Sequence, residues 1–152
     1  MVASFEIDHR TLRPGIYERS RKFMTKSWDI RLVAPSKNMP MTPGAMHVLE
    51  HCFAQWLREQ PVIGGKIIAV CPMGCLTGMY IITSESATMM EIVTGLKSVL
   101  EKFPLRSIEE VPGMNEIQCG NPMLYDIEDA NRYARILNNV ITGKRPHTSL
   151  RL

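Results

Sequence analysis

Two imidazoles and a carboxylate stand close together at His47, Glu50 and His51, residue types that can bind a metal ion and move a proton. On an α-helix, positions i and i+4 lie one above the other, so His47 and His51 can reach a single ion from successive turns, with Glu50 beside the same site. The order H-x-x-E-H is the inverse of the commoner zinc-protease order. In such motifs the histidines ligate and the glutamate handles protons on a metal-bound water or substrate. The competing reading is a solvated helix face. Met46, Leu49, Phe53, Trp56 and Leu57 weigh against it, because they form an apolar stripe of helical period that buries the helix.

A catalytic metal usually takes three protein ligands and keeps one position open, so a third ligand must come from elsewhere. Cys119, before Gly120, is a thiolate candidate in a loop where the glycine would let the backbone approach closely; a buried inert thiol is the alternative. Cys75, after Gly74 in a turn between strands, is a reactive thiol if a cation or metal lowers its pKa, or else a fourth ligand closing a structural site. Cys71 and Cys75 lack the C-x-x-C redox spacing. Arg58 lies on the helical stripe of His47, His51 and Ala54. Its guanidinium can face a substrate carboxylate or sit in solvent at the helix end.

The elements that must hold these groups can be read from pattern. Residues 4–9 alternate as a half-buried strand would, with Phe5 and Ile7 on one face; residues 16–25 read as a polar strand; Trp28, Ile30 and Leu32 mark a third. After a loop over residues 34–41, Thr42 as N-cap and Pro43 at the first helical position open the helix of the motif, which should end near Gln60. Strands over residues 66–70 and 79–83 flank the Cys71–Cys75 segment. A second helix spans residues 86–100, residues 104–120 read mostly as loop, and Asp126 caps a third helix running to Gly143. This order predicts an α+β fold: one domain over residues 1–143, a largely antiparallel sheet packed against helices, and a mobile tail over residues 144–152.

The chain has 152 residues, a length that fits one domain burying about 70% of its unfolded surface. A formal charge of +3 from scattered basic residues is too weak for a nucleic-acid footprint. The first ten residues carry Glu6, Asp8 and His9 and lack the apolar core of a signal peptide, and no apolar run approaches the ~18 residues of a membrane span. A reducing cytoplasm is therefore expected, with the four cysteines as thiols, ligands or nucleophiles.

Taken together, the motifs resemble the S-ribosylhomocysteine lyase (LuxS) family, producers of an autoinducer-2 precursor. Ser4-Phe5-Glu6-Ile7-Asp8-His9 is similar to the family's S-F-x-x-D-H start, Asp29-Ile30-Arg31 to its D-[IL]-R strand, and His47 to His51 to H-x-L-E-H. Pro72-Met73-Gly74-Cys75, with Thr77-Gly78, matches P-M-G-C-x-T-G, and Cys119-Gly120 the C-G ligand motif. The resemblance implies His47, His51 and Cys119 as ligands of one divalent metal per chain, natively Fe(II) and replaceable by Zn(II) or Co(II), with water as the fourth ligand. It implies Glu50 and Cys75 as the acid/base pair, Ser4, His9 and Arg31 around the sugar, and Arg58 near the homocysteine end. It further implies a homodimer with active sites at the interface. One departure stands out: Ala69-Val70-Cys71 replaces the family's D-x-S, removing a carboxylate from the amino-acid end of the pocket. The residues alone leave two other readings open, an inverted-motif hydrolase with Glu116 or Glu128 as third ligand and a non-catalytic zinc-stabilised module.

Overall fold

A computed structural model describes residues 5–35 and 39–144. Strands β1 (Gly15–Lys22) and β2 (Thr25–Arg31) form a hairpin paired from Gly15↔Arg31 to Lys22↔Thr25. The expected strand over residues 16–25 is thus cut at Phe23 and Met24, which turn the chain with φ of 51° and 59°. Two-residue hairpin turns that need positive φ usually carry Asn or Gly, so this one has no sequence signal. The expected first strand over residues 4–9 is also corrected. Among its described residues the chain turns at Asp8, whose side chain accepts the Arg10 N–H at 3.0 Å and whose carbonyl accepts the Thr11 N–H at 3.2 Å. A short acidic side chain bonding its own backbone competes with extension.

β3 (Ile67–Pro72) and β4 (Gly78–Ser84) complete a four-stranded, wholly antiparallel sheet in the order β1-β2-β4-β3. Side chains alternate across a strand, so Trp28 and Ile30 of β2, Met79 and Ile81 of β4 and Val70 of β3 form one buried face. Helix α1 (Pro43–Arg58) packs against β3 and against two further helices, α2 (Met89–Leu100) and α3 (Ile127–Ile141). Its Leu49, Phe53 and Leu57 are fully buried, as the apolar stripe predicts. Truncating any one of them to alanine would cost about 2–5 kcal/mol.

The helix boundaries follow from their caps. Thr42 accepts the Ala45 N–H at 3.1 Å with Pro43 in the first turn, and α1 ends at Arg58, two residues before the expected Gln60. α2 begins later than residue 86, because Thr88 and Glu91 form a reciprocal capping box. Asp126 caps α3 as expected, and Gly143 follows its end with φ +70°. The result is a single α+β domain. The expected mobile tail falls, beyond Lys144, outside the described residues, as does Ser4. No helix among the described residues is long and apolar enough to cross a membrane.

Candidate metal centre and reactive thiol

Three donor atoms from His47, His51 and Cys119 lie within 4.8 Å of one another, and neither Cys75, Glu116 nor Glu128 joins them among the described residues. The helix supplies two of them, as spacing predicts; the third arrives through contacts between helix starts. Thr42 donates its hydroxyl to the Asp126 carboxylate and its N–H to Asp129, both at 2.9 Å, which stitches the N-terminus of α1 to that of α3. The loop bearing Cys119 runs directly into α3. Gly44 lets it come close: a Cβ there would stand 2.6 Å from the Tyr125 backbone. Gly120, by contrast, has open space around it, so the expectation that it permits close approach is corrected.

The rings are fixed from behind. Nδ1 of His47 lies 2.8 Å from the Leu124 carbonyl and Nδ1 of His51 lies 2.8 Å from the Pro112 carbonyl. A carbonyl oxygen only accepts, so each Nδ1 carries a proton, which leaves Nε2 of each ring as the nitrogen that can serve as a ligand. Those two Nε2 atoms face each other at 3.1 Å, with the Cys119 sulfur 3.3 Å from that of His47. Two ring nitrogens and a sulfur converging this closely form a donor set that fits a cation, and the carbonyl behind each ring is the support that metal-binding histidines usually have. The Asn121 N–H points at the Cys119 sulfur from 3.4 Å, as suits a thiolate. Imidazole and thiolate together suit zinc or iron-type ions more than magnesium or calcium. Glu50 stands at the edge of the cluster, its carboxylate 3.9 Å from His51 Nε2.

Cys75 belongs to a second cluster, on the turn between β3 and β4. That turn is held by Met73 N–H to Gly78 O at 3.0 Å, and Thr77 O accepts the N–H groups of Leu32 and Val33, both at 3.0 Å. Gly78 is required there, since a Cβ would meet the Ile30 carbonyl at 2.5 Å. The exposed Cys75 sulfur lies 3.0 Å from the Thr77 hydroxyl and 3.9 Å from Arg31 Nη1, which also donates to that hydroxyl at 2.6 Å. Burial works to raise the thiol's pKa, but the Thr77 hydrogen bonds and the Arg31 guanidinium outweigh it, leaving the thiol below its ordinary value. Cys52 is the contrast, its thiol pushed up to about 12 by burial in the core.

The other described sequence candidates, His9 and Arg58, are held by backbone carbonyls. His9 is half-buried, with Nδ1 on the Ile7 carbonyl at 2.8 Å. Arg58 is neither free in solvent nor open to a ligand on all sides: it donates to Ala54 O at 2.6 Å and Ile68 O at 3.0 Å, pinning the end of α1 to β3. Sequence reasoning assigned no role to Asp29, Thr77 or Gly44. Asp29 and Thr77 sit inside recognisable motifs, whereas Gly44 carries no signal beyond a glycine in the first turn of a helix.

The S-ribosylhomocysteinase (LuxS) family model matches residues 2–146. A protein of Borreliella burgdorferi named S-ribosylhomocysteine lyase is 35% identical over 151 residues, covering 91% of this chain and 93% of that one. Lyases of the same name from Clostridium acetobutylicum and Clostridium perfringens are each 33% identical, over 147 and 150 residues, with 91% and 94% of this chain covered and 92% and 95% of theirs. Matched along nearly its whole length, the chain belongs to the S-ribosylhomocysteinase family.

Proposed function

We propose that the protein cleaves the thioether of S-ribosylhomocysteine, releasing homocysteine and 4,5-dihydroxy-2,3-pentanedione. The observation that carries this reading is the convergence of His47 Nε2, His51 Nε2 and Cys119 Sγ beside Glu50. These three residues would hold one divalent ion, Fe(II) in the cell with Zn(II) or Co(II) able to replace it. Such an ion supplies Lewis-acid polarisation of a sugar carbonyl, which acidifies the adjacent C–H.

The chain's own residues then move protons. Cys75, as thiolate, and Glu50, as carboxylate, each take a proton from one carbon and return it to a neighbouring position. Two such rounds shift the carbonyl along the open-chain ribose. Once the carbonyl lies β to the thioether carbon, a base takes the proton from the carbon between them, the C–S bond breaks, the homocysteine sulfur leaves with the bonding pair and takes up a proton, and the enol left behind tautomerises to the dione. The sugar is oxidised at one carbon and reduced at another, so no external redox cofactor is needed. Arg31, Ser4 and His9 are assigned to the sugar, and Arg58 to the homocysteine end.

A homodimer with the sites at its interface fits the exposed apolar side chains near Cys119, namely Ile117, Met123 and Leu124. Four free thiols suit a reducing cytoplasm. The direct test is incubation of Fe(II)- or Co(II)-loaded protein with S-ribosylhomocysteine and measurement of free thiol. One thiol per substrate consumed is expected; an intact thioether would overturn the assignment.

A further inference from the structure

Behind the Cys75 turn, β2 buries a charge cluster in which the reaction above uses Arg31 but gives Asp29 no role. Asp29 is 0% exposed and Arg31 2%. A single carboxylate oxygen, Asp29 Oδ2, accepts Arg31 Nη2 at 2.7 Å and Arg19 Nε at 3.3 Å. Two guanidiniums against one carboxylate leave the cluster net positive. The Arg31 fork is spread across the strand, with Nη2 on Asp29 and Nη1 on the Thr77 hydroxyl and facing the Cys75 sulfur. Among the described residues, Arg31 is the one charged side chain hydrogen-bonded to that sulfur, and Asp29 is the one acidic group hydrogen-bonded to Arg31.

We propose that Asp29 is a positioning residue for the Cys75 thiol: its carboxylate holds the Arg31 guanidinium in the orientation that delivers Nη1 to Thr77 and Cys75. A planar guanidinium bound at one nitrogen has its other nitrogen's direction fixed, which a lysine ammonium does not. Asp29 thus acts on Cys75 with two opposite signs. As a buried negative charge it disfavours the thiolate, and as the anchor of Arg31 it favours it. Anchoring dominates, because Arg31 touches the sulfur and Asp29 does not. This inference rests on Cys75 being the proton-transfer group, but it concerns the thiol itself and is tested without substrate.

The measurement is the pH profile of Cys75 alkylation by iodoacetamide, read by mass of the modified peptide, in metal-loaded protein carrying Cys71→Ser. With Arg31 present, Asp29→Ala should raise the midpoint by about half a pH unit or more, roughly threefold less thiolate at a pH below it. With Arg31→Met, the same Asp29→Ala change should lower the midpoint, since only the repulsive charge remains to be lost. A fall in both backgrounds would make Asp29 a mere charge, a rise in both would make it a general support of the fold, and no change with Arg31 present would remove it from the site; each overturns the proposal. If Asp29→Ala does not fold, Arg31→Lys decides: it keeps the charge and loses the fork, so the midpoint should rise, and an unchanged midpoint contradicts the proposal. Failure of thiol release from S-ribosylhomocysteine, with these shifts observed, would count against the lyase assignment and leave the Asp29 inference standing.

Discussion

At the scale of single residues, the site divides its labour between two clusters, and substitutions should separate them. His51→Ala and Cys119→Ala each remove one of three converging donors, so metal content per chain should fall well below that of the wild type; full occupancy in both would refute the ligand set. Cys75 is expected to act by proton transfer. Its thiol is held below its ordinary value by the Thr77 hydrogen bonds and the Arg31 guanidinium, against the effect of burial, so the thiolate persists to lower pH and the base is lost only as pH falls through the depressed value. The acid limb of the thiol-release profile should therefore lie below that of an ordinary thiol, and Arg31→Met should move it upward; an unmoved limb would show that another group governs it. Ala69, on β3 beside the Ile68 carbonyl that holds Arg58, stands where the family pattern has an acid. Restoring it with Ala69→Asp should give the substrate ammonium a charged partner and lower KM about tenfold or more with kcat little changed. An unchanged or higher KM would place position 69 away from the amino-acid end.

At the scale of elements, the metal site depends on how closely α1 and the start of α3 approach. The Gly44 position leaves no room for a side chain, the Tyr125 backbone standing 2.6 Å from where a Cβ would be. Gly44→Ala should cost about 1–3 kcal/mol by overpacking, read as a lower urea midpoint. It should also reduce metal content, because Leu124, whose carbonyl orients His47, moves with that segment. Stability lost without any loss of metal would show that the segment is not what seats the ring. Elements with strong periodicity were legible in the sequence: α1 with its Thr42 cap, α3 with its Asp126 cap, and the two strands around Cys75. Those set by tertiary context were not. Lys22-Phe23-Met24-Thr25 contains no turn residue yet reverses the chain, and the alternation of residues 5–8 finds no strand to pair with among the described residues. Two histidines at helical spacing announce themselves, whereas Leu124 and Pro112 act through carbonyls, a group every residue carries, and no sequence marks them.

At the scale of the whole molecule, the groups proposed to act come from one sheet, one helix and the loop before α3 that bears Cys119. α1 presents the histidines and Glu50, the β3–β4 turn presents Cys75, and β2 lays Arg31 and Asp29 beneath it. The match to named lyases spans the chain, with 91% of it covered in the Borreliella burgdorferi relative. The central claim is that metal binding and proton transfer reside in different residues of this one fold. The most direct test measures metal content and thiol release from S-ribosylhomocysteine on the same preparation of Cys75→Ala. The account predicts wild-type metal content with thiol release reduced by about 10²- to 10⁴-fold, the range of a lost acid/base group. Loss of metal from that variant, or thiol release at the wild-type rate, would contradict it.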